Sequence, residues 1–267
     1  MQPCPAPFGS QILDWQQAAA RCSKGEEPRN GPSMMQRIVS AACGLWLCAA
    51  QTALAQDGGL PVVVELYTSQ GCSSCPPADA FLAELAEMPG VIPLALHVDY
   101  WDYIGWKDDF AQAGFTDRQK AYARAAGERM VYTPQMIVGG VDRVVGNEPK
   151  DVLASISRAA KVPSPVRLSV RREGGKVVIQ AEADPPLTEG AVVHLVAYRP
   201  GATVKIEHGE NAGMAVEYRN IVTSWQEVTD WSGQAPLQIS AVTGEEPAVV
   251  IVQRKGPGEI LAAATLP

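Results

Sequence analysis

The sequence VVVELYTSQGCSSCPPAD at residues 62–79 decides the fold prediction, because a strand pattern in it gives way to a helix pattern. Residues 62–67 form a short apolar run rich in β-branched side chains, which predicts a buried strand. The polar residues 68–71 predict a loop. Cys72 and Cys75 follow, and after them apolar residues recur at helical spacing until a Pro-Gly pair. The two cysteines are therefore predicted to lie at a strand-to-helix turn.

This placement suits thiol–disulfide exchange, which needs one thiolate to attack and a second thiol to resolve the mixed disulfide. A helix N-terminus favours negative charge, so Cys72 is the predicted nucleophile and Cys75 the predicted resolving thiol. Pro76 and Pro77 each remove an N–H group from the first turn. The pKa of Cys72 is therefore expected to be lowered less than it would be at a helix N-terminus without prolines.

A CxxC pair also occurs in metal sites and in inert disulfides. Structural zinc needs further ligands, and His97, His194 and His208 show no paired ligand spacing. Two thiolates suffice for Cu(I), so a non-catalytic Cu(I)-binding or redox-sensing protein is an alternative function. A purely structural disulfide is the third possibility.

The rest of the chain predicts two domains. A strand at 91–98, a helix over 107–126, two strands around a Gly-Gly pair and a helix at 148–160 give the order β-α-β-α-β-β-α. We therefore predict an α/β thioredoxin-like domain with a helical insertion at 56–161. After a Pro-containing linker, a smaller all-β sandwich-like domain is predicted at 166–267. Its candidate strands are 166–172, 176–183, 191–199, 215–222, 235–243, 247–254 and 258–265.

Thr133, Pro134 and Glu65 complete the predicted active site. In thioredoxin-like folds a cis-proline before the third strand lies against the CxxC, and the residue before it offers backbone groups to a substrate. Thr133-Pro134 fits this place, since X-Pro is the bond at which cis is cheap. The alternative is a trans proline that only starts a strand. Glu65 is a candidate to relay a proton to Cys75, with a solvent-facing strand-end carboxylate as its alternative.

Aromatic side chains are dense after the second predicted strand. Such amphipathic side chains could line a substrate groove beside the thiols, with Asp99 and Asp102 tuning its electrostatics. The alternative is that they pack the predicted insertion onto the domain. The candidate substrate-binding aromatics are Tyr100, Trp101 and Trp106, with Tyr103 in the same cluster.

The N-terminal region predicts export. Residues 34–55 contain Arg37, a short apolar run and a final Ala-Leu-Ala, which is typical of a secretory signal peptide cleaved before Gln56. Residues 1–33 do not fit this pattern, so they are predicted to be a non-native or disordered extension before a start at Met34 or Met35. We expect a periplasmic or secreted protein without a membrane span after cleavage.

Charge and cysteine content narrow the partners. The formal charge of -7 leaves no basic stripe for nucleic acid. Cleavage before Gln56 would remove four of the six cysteines, so Cys72 and Cys75 would have no competing thiol. The predicted partners are protein thiols or disulfides and a protein that recycles the CxxC. No organic cofactor is predicted, and the oligomeric state is left open.

Three separated segments carry a resemblance to a known family. Residues 64–79, 97–106 and 132–135 resemble a bacterial family of secreted thioredoxin-like proteins classified as a domain of unknown function. The resemblance covers about residues 61–265. It implies the thioredoxin-like fold and export, typically to a Gram-negative periplasm, but no established substrate.

Overall fold

The computed structural model describes residues 61–266. The predicted extension at 1–33, the signal peptide at 34–55 and the cleavage before Gln56 lie outside the described residues. Within residues 61–266, none of the helices combines the length and the hydropathy that a bilayer crossing requires.

The described chain contains three α-helices and eleven strands. The elements begin at or near their predicted positions, but the strands predicted at 191–199 and 215–222 extend to 205 and 231. The strand-to-helix turn at the CxxC is confirmed. The helices are α1 (Pro76–Ala86), α2 (Ala113–Ala125) and α3 (Pro149–Ala159). The first strands are β1 (Val62–Thr68), β2 (Val91–His97), β3 (Gln135–Val138) and β4 (Asp142–Val145). The later strands are β5 (Val166–Glu173), β6 (Lys176–Ala183), β7 (Ala191–Lys205), β8 (Ala215–Trp231), β9 (Leu237–Val242), β10 (Ala248–Arg254) and β11 (Ile260–Leu266).

Eight of the strands form one mixed sheet in the order β11-β10-β7-β8-β2-β1-β3-β4. Strand β1 pairs in parallel with β2 and antiparallel with β3. Strand β8 runs parallel to β2, where Ala95 pairs with Ile221. The remaining strands form an antiparallel sheet in the order β5-β6-β9. The large sheet therefore contains strands from both sides of the linker at 162–165.

The predicted fold class is wrong. Of the described residues, 44% lie in strands and 18% in helices, so the protein is mostly β rather than an α/β thioredoxin-like domain followed by a small sandwich. The physical reason is the pairing of β8 with β2, at Ile221 and Ala95, which joins the two predicted domains in one sheet. Local periodicity predicts a strand, but it carries no information about which strand becomes the neighbour.

The predicted helical insertion is wrong for a related reason. Helix α2 contributes Phe115 and Tyr122 to a hydrophobic core that also contains Val63 and Tyr67 of β1. It therefore covers one face of the large sheet. The aromatic pattern before α2 suggested an added segment, because the sequence does not show which sheet face needs a cover.

Alternation along β1 assigns its side chains to two layers. Successive side chains of a strand point to opposite faces. One set packs in a core with α1 and α3, and the other set packs in the core with α2. Val62, Val64, Leu66 and Thr68 share the parity of the α1 face, whereas Val63, Glu65 and Tyr67 share the parity of the α2 face.

Candidate functional site

Cys72 and Cys75 form a disulfide at the start of α1. Cys75 is the N-cap residue, and both cysteines are 0% exposed. Pro76 and Pro77 offer no N–H group, and the N–H of Ala78 already donates to the carbonyl of Cys75 at 2.8 Å. Few helix N–H groups are therefore free to stabilise a thiolate at Cys72.

The loop before the disulfide is held by side chains from two distant segments. The Gln70 N–H donates to Asp108 Oδ2 at 2.8 Å, and the Trp106 indole N–H donates to Gln70 Oε1 at 2.7 Å. Asn211, in the turn between β7 and β8, donates to the carbonyl oxygens of Gln70 and Cys72, both at 2.9 Å. These bonds fix the backbone that carries Cys72.

We expect Asn211→Ala to lower the free energy of unfolding by about 1–3 kcal/mol, because two buried carbonyl oxygens lose their donor. Urea denaturation of the oxidised protein measures the change. The matched control is Asn147→Ala, since Asn147 is an exposed asparagine. Equal effects of the two substitutions would contradict the assigned role of Asn211.

The structure brings Thr133 and Pro134 to the CxxC. The Thr133–Pro134 peptide bond is cis, so the trans alternative is wrong. The Ser74 hydroxyl donates to the Thr133 carbonyl oxygen at 3.4 Å, and the Trp101 indole N–H donates to Thr133 Oγ1 at 2.8 Å. Thr133, Trp101 and the exposed Ser74 therefore form one connected group beside the disulfide.

The predicted aromatic residues divide between two surroundings. Trp101 and Trp106 are half-buried and bonded to the site, as described above. The Tyr100 hydroxyl instead donates to Gln119 of α2 at 3.2 Å, and burial raises the pKa of Tyr100 to about 12. Tyr103 is 82% exposed. The two tryptophans donate hydrogen bonds to the CxxC loop and to Thr133, and the Tyr100 hydroxyl also lies close enough to the Thr133 side chain to have its pKa lowered by it.

Glu65 is fully buried, so its solvent-facing alternative is wrong. Its carboxylate accepts two hydrogen bonds from Arg118, at 2.7 and 2.8 Å, and one each from Tyr67 and Tyr122. Burial would lower the pKa of Arg118, but the charge of Glu65, its hydrogen bond and the neighbouring Tyr122 and Tyr67 together outweigh burial and raise the pKa. Glu65 lies on the α2 face of the sheet, so the structure does not bring it together with Cys75 on α1.

Sequence reasoning missed a second buried carboxyl. Asp79 of α1 is 2% exposed, and burial raises its pKa to about 7 against the lowering effect of His97. Near it, His97 Nδ1 and Asp108 Oδ2 lie 2.7 Å apart, both fully buried. The signal for Asp79 was an acidic residue in the apolar stripe of a helix. Asn211 gave no signal, since it lies 139 residues from Cys72.

No group of three or more His, Cys, Asp or Glu side chains suited to a metal ion occurs within residues 61–266.

One family model matches the chain, and the comparisons with known proteins leave its activity open. The family described as "Protein of unknown function (DUF1223)" matches residues 63–253. A crystal structure of a protein from Agrobacterium tumefaciens is 32% identical, with a TM-score of 0.67, over 78% of this chain and 94% of that one. HBP35 of Porphyromonas gingivalis is 11% identical with a TM-score of 0.57, over 78% and 75% of the two chains. No curated protein matches the chain.

Proposed function

The chain belongs to the DUF1223 family of proteins of unknown function, and from this premise we propose that it is an exported thiol–disulfide oxidoreductase acting through Cys72 and Cys75. The observation that carries the proposal is the disulfide between these residues at the start of α1. The two cysteines are three residues apart in the sequence and already bonded. Their thiols are therefore close enough for one to attack a substrate and the other to resolve the mixed disulfide. We propose a similarity to thioredoxin-like proteins in the arrangement of this CxxC site, and not in the overall fold.

The proposed reaction is an exchange with a protein substrate. A substrate thiolate attacks Cys72 Sγ, the Cys72–Cys75 bond breaks, and its electron pair passes to Cys75 Sγ. A second substrate thiolate then releases Cys72 and leaves the substrate with a disulfide. The reverse sequence reduces a substrate disulfide, with Cys72 attacking and Cys75 resolving. A separate redox protein must restore the starting state in either direction.

The surroundings of the disulfide support a peptide substrate. Ser73 and Ser74 form the exposed part of the CxxC, and Ser74 is bonded to the carbonyl of Thr133. An extended substrate chain could form backbone hydrogen bonds at Thr133, with Trp101 beside it. The export part of the proposal is supported by the pattern at 34–55 and by the compartments in which disulfides persist.

A structural disulfide is the second candidate function, and the complete burial of both cysteines favours it. The loop length argues against it. A disulfide that closes a loop of four residues restricts the unfolded chain by only about 2 kcal/mol in the chain-entropy treatment, less than a longer loop would give. Because Cys72 is fully buried, the oxidoreductase function requires that residues covering Cys72 move aside before a substrate thiolate can reach its sulfur.

The test is equilibration of the protein with glutathione redox buffers, with the Cys72–Cys75 disulfide quantified by alkylation and mass spectrometry. We expect reversible exchange, with a potential near about -200 mV for an oxidase or isomerase or about -270 mV for a reductase. Cys75→Ser should accumulate a glutathione adduct at Cys72, and Cys72→Ser should form none at Cys75. A disulfide that resists all glutathione ratios would exclude the oxidoreductase and favour the structural role.

A further inference from the structure

The inward face of α1 carries a carboxyl without a hydrogen-bond partner at normal geometry. Asp79 lies in the buried stripe that also contains Ala78 and Leu82. Neither oxygen of the Asp79 carboxyl has a hydrogen-bond partner at normal geometry among the described residues, although the nearby Thr68 hydroxyl acts as a weak donor that lowers its pKa. A buried polar group in this state costs free energy, so its retention in a packed helix face points to a task other than packing.

Two strands present further unpartnered polar atoms to the same carboxyl. Thr68 ends β1 and His97 ends β2, and the two residues are paired in register. Thr68 Oγ1 and His97 Nε2 are both buried without a hydrogen-bond partner at normal geometry. The charge of His97 and the Thr68 hydroxyl both lower the pKa of Asp79, against the larger effect of burial. The ends of β1 and β2 and the first turn of α1 thus enclose one buried polar cluster, which consists of Thr68, Asp79 and His97.

The groups around this cluster define its electrostatics. His97 Nδ1 lies 2.7 Å from Asp108 Oδ2, so the side chain of His97 is held from its Nδ1 side. Strand β8 places the ring of Tyr218 against His97, with centroids 4.9 Å apart. Burial raises the pKa of Tyr218, as do the charges of Asp79 and Asp108, so its phenol stays neutral. Asp79, whose pKa burial raises to about 7, is a member of this cluster that can exchange a proton near neutral pH.

Asp79 follows Cys75 by one helical turn. Its N–H donates to the Cys75 carbonyl at 3.1 Å. Side chains on a helix lean toward the N-terminus, so the Asp79 carboxyl is directed back over the turn that contains Cys75. Both side chains are buried, and solvent therefore has no direct path to the proton of Cys75. Glu65 lies on the other face of the sheet and is saturated by its own donors.

We propose that Asp79 is the internal proton donor and acceptor for Cys75, and that the buried polar cluster sets its charge state. This inference rests on the proposed oxidoreductase function. When a partner thiolate attacks Cys72 Sγ, the disulfide breaks, Cys75 Sγ receives the electron pair, and the Asp79 carboxylic acid gives it a proton. In reverse, the Asp79 carboxylate takes the Cys75 proton, Cys75 Sγ attacks Cys72 Sγ, and the partner leaves as a thiolate.

Opening of the disulfide makes this transfer geometrically possible. In the oxidised protein the Asp79 oxygens form no hydrogen bond to sulfur. Once the bond to Cys72 breaks, Cys75 Sγ is free to rotate about the Cα–Cβ bond toward the carboxyl one turn later. The same event places a new negative charge beside Asp79, which favours the protonated carboxyl.

The test measures the rate of disulfide reduction by dithiothreitol from about pH 5 to about pH 9, divided by the concentration of dithiothreitol thiolate. For the wild-type protein this normalised rate should fall as the pH rises through about 7, because the acid form of Asp79 is lost. Asp79→Asn should be about 100-fold slower below pH 7 and should show no such fall. The control is Asp151→Asn, which removes an exposed carboxylate from the first turn of α3.

A second measurement separates this inference from the proposed function. Carbon-13 NMR of aspartate-labelled protein, assigned with Asp79→Asn, follows the carboxyl titration in the oxidised and reduced forms. A midpoint that shifts on reduction supports the inference even if glutathione exchange fails. An ordinary carboxyl midpoint in both forms, or a normalised rate whose pH profile is the same in Asp79→Asn and wild type, overturns it.

Discussion

Replacing Arg118 by methionine is expected to lower the free energy of unfolding by about 3–5 kcal/mol. Within residues 61–266, Arg118 is the only cation bonded to Glu65, whose side chain is 0% exposed, so its removal leaves a buried charge without a counter-charge there. Arg118 also donates to Gln253 of β10 at 2.9 Å and stacks over Trp225 of β8 at 3.7 Å. The substitution therefore loosens α2 from three strands of the large sheet.

Chemical denaturation at neutral pH measures this effect. Arg167→Met is the matched control, because Arg167 pairs with Glu182 at 3.3 Å on the surface, where such pairs contribute about 0–1 kcal/mol. The double variant Glu65→Leu with Arg118→Met should be more stable than Arg118→Met alone, since the buried charge is then absent. A loss no larger than that of the surface control would show that Glu65 is not held as an ion.

Asp79→Asn is expected to stabilise the protein at alkaline pH by up to about 4 kcal/mol. The pKa of Asp79 is raised from 3.8 to about 7 in the folded state, first of all by burial. Between these values the folded state binds more protons than the unfolded state, so the stability present below pH 4 is lost as the pH rises through about 7. Asparagine does not ionise and avoids this loss.

The stability of the oxidised wild type and of Asp79→Asn should be compared by denaturation from about pH 4 to about pH 9. The two proteins should be nearly equal at the acid end and diverge as the pH rises, with the variant more stable. Asp151→Asn, which removes an exposed carboxylate from the first turn of α3, should stay within about 1 kcal/mol of the wild type at every pH. A pH-independent difference would mean that Asp79 keeps the same charge in the folded and unfolded states.

Together these predictions separate two buried carboxyls by their surroundings. Glu65 has four hydrogen bonds from three side chains and stabilises the packing of α2. Asp79 has no hydrogen-bond partner at normal geometry among the described residues and destabilises the fold when charged. Perturbed titratable groups of the second kind are concentrated at functional sites.

The sequence predicted the elements well, because their signals are local. The apolar run at 62–67 and the helical spacing after Cys75 depend on neighbours within a few residues, and both elements formed where expected. The architecture depended on one long-range pairing between β2 and β8, which no local pattern encodes. The same signals therefore predicted correct strands and a wrong fold class.

For the site too, the placement of residues with local motifs was predicted correctly, and the placement of those that depend on the three-dimensional packing was not. Cys72, Cys75 and Thr133 stand out by motif, and the structure brings them together. Glu65 was chosen as the acid because it lies within the predicted buried strand, where desolvation raises a carboxyl pKa. The face of the sheet on which it lies depends on where α1 and α2 pack. Asp79 was visible only as an interruption of an apolar stripe, which gains its meaning once burial is known.

The position of β8 has a consequence for handling the protein. In the large sheet β8 covers the outer edge of β2, and the turn that follows β7 supplies Asn211 to the CxxC loop. A fragment that ends at residue 161 would keep both cysteines but expose β2 as an apolar edge, the kind of edge that recruits other chains. Such a fragment should associate with other chains in solution. The redox site therefore depends on the C-terminal strands and is not expected to work as an isolated N-terminal fragment.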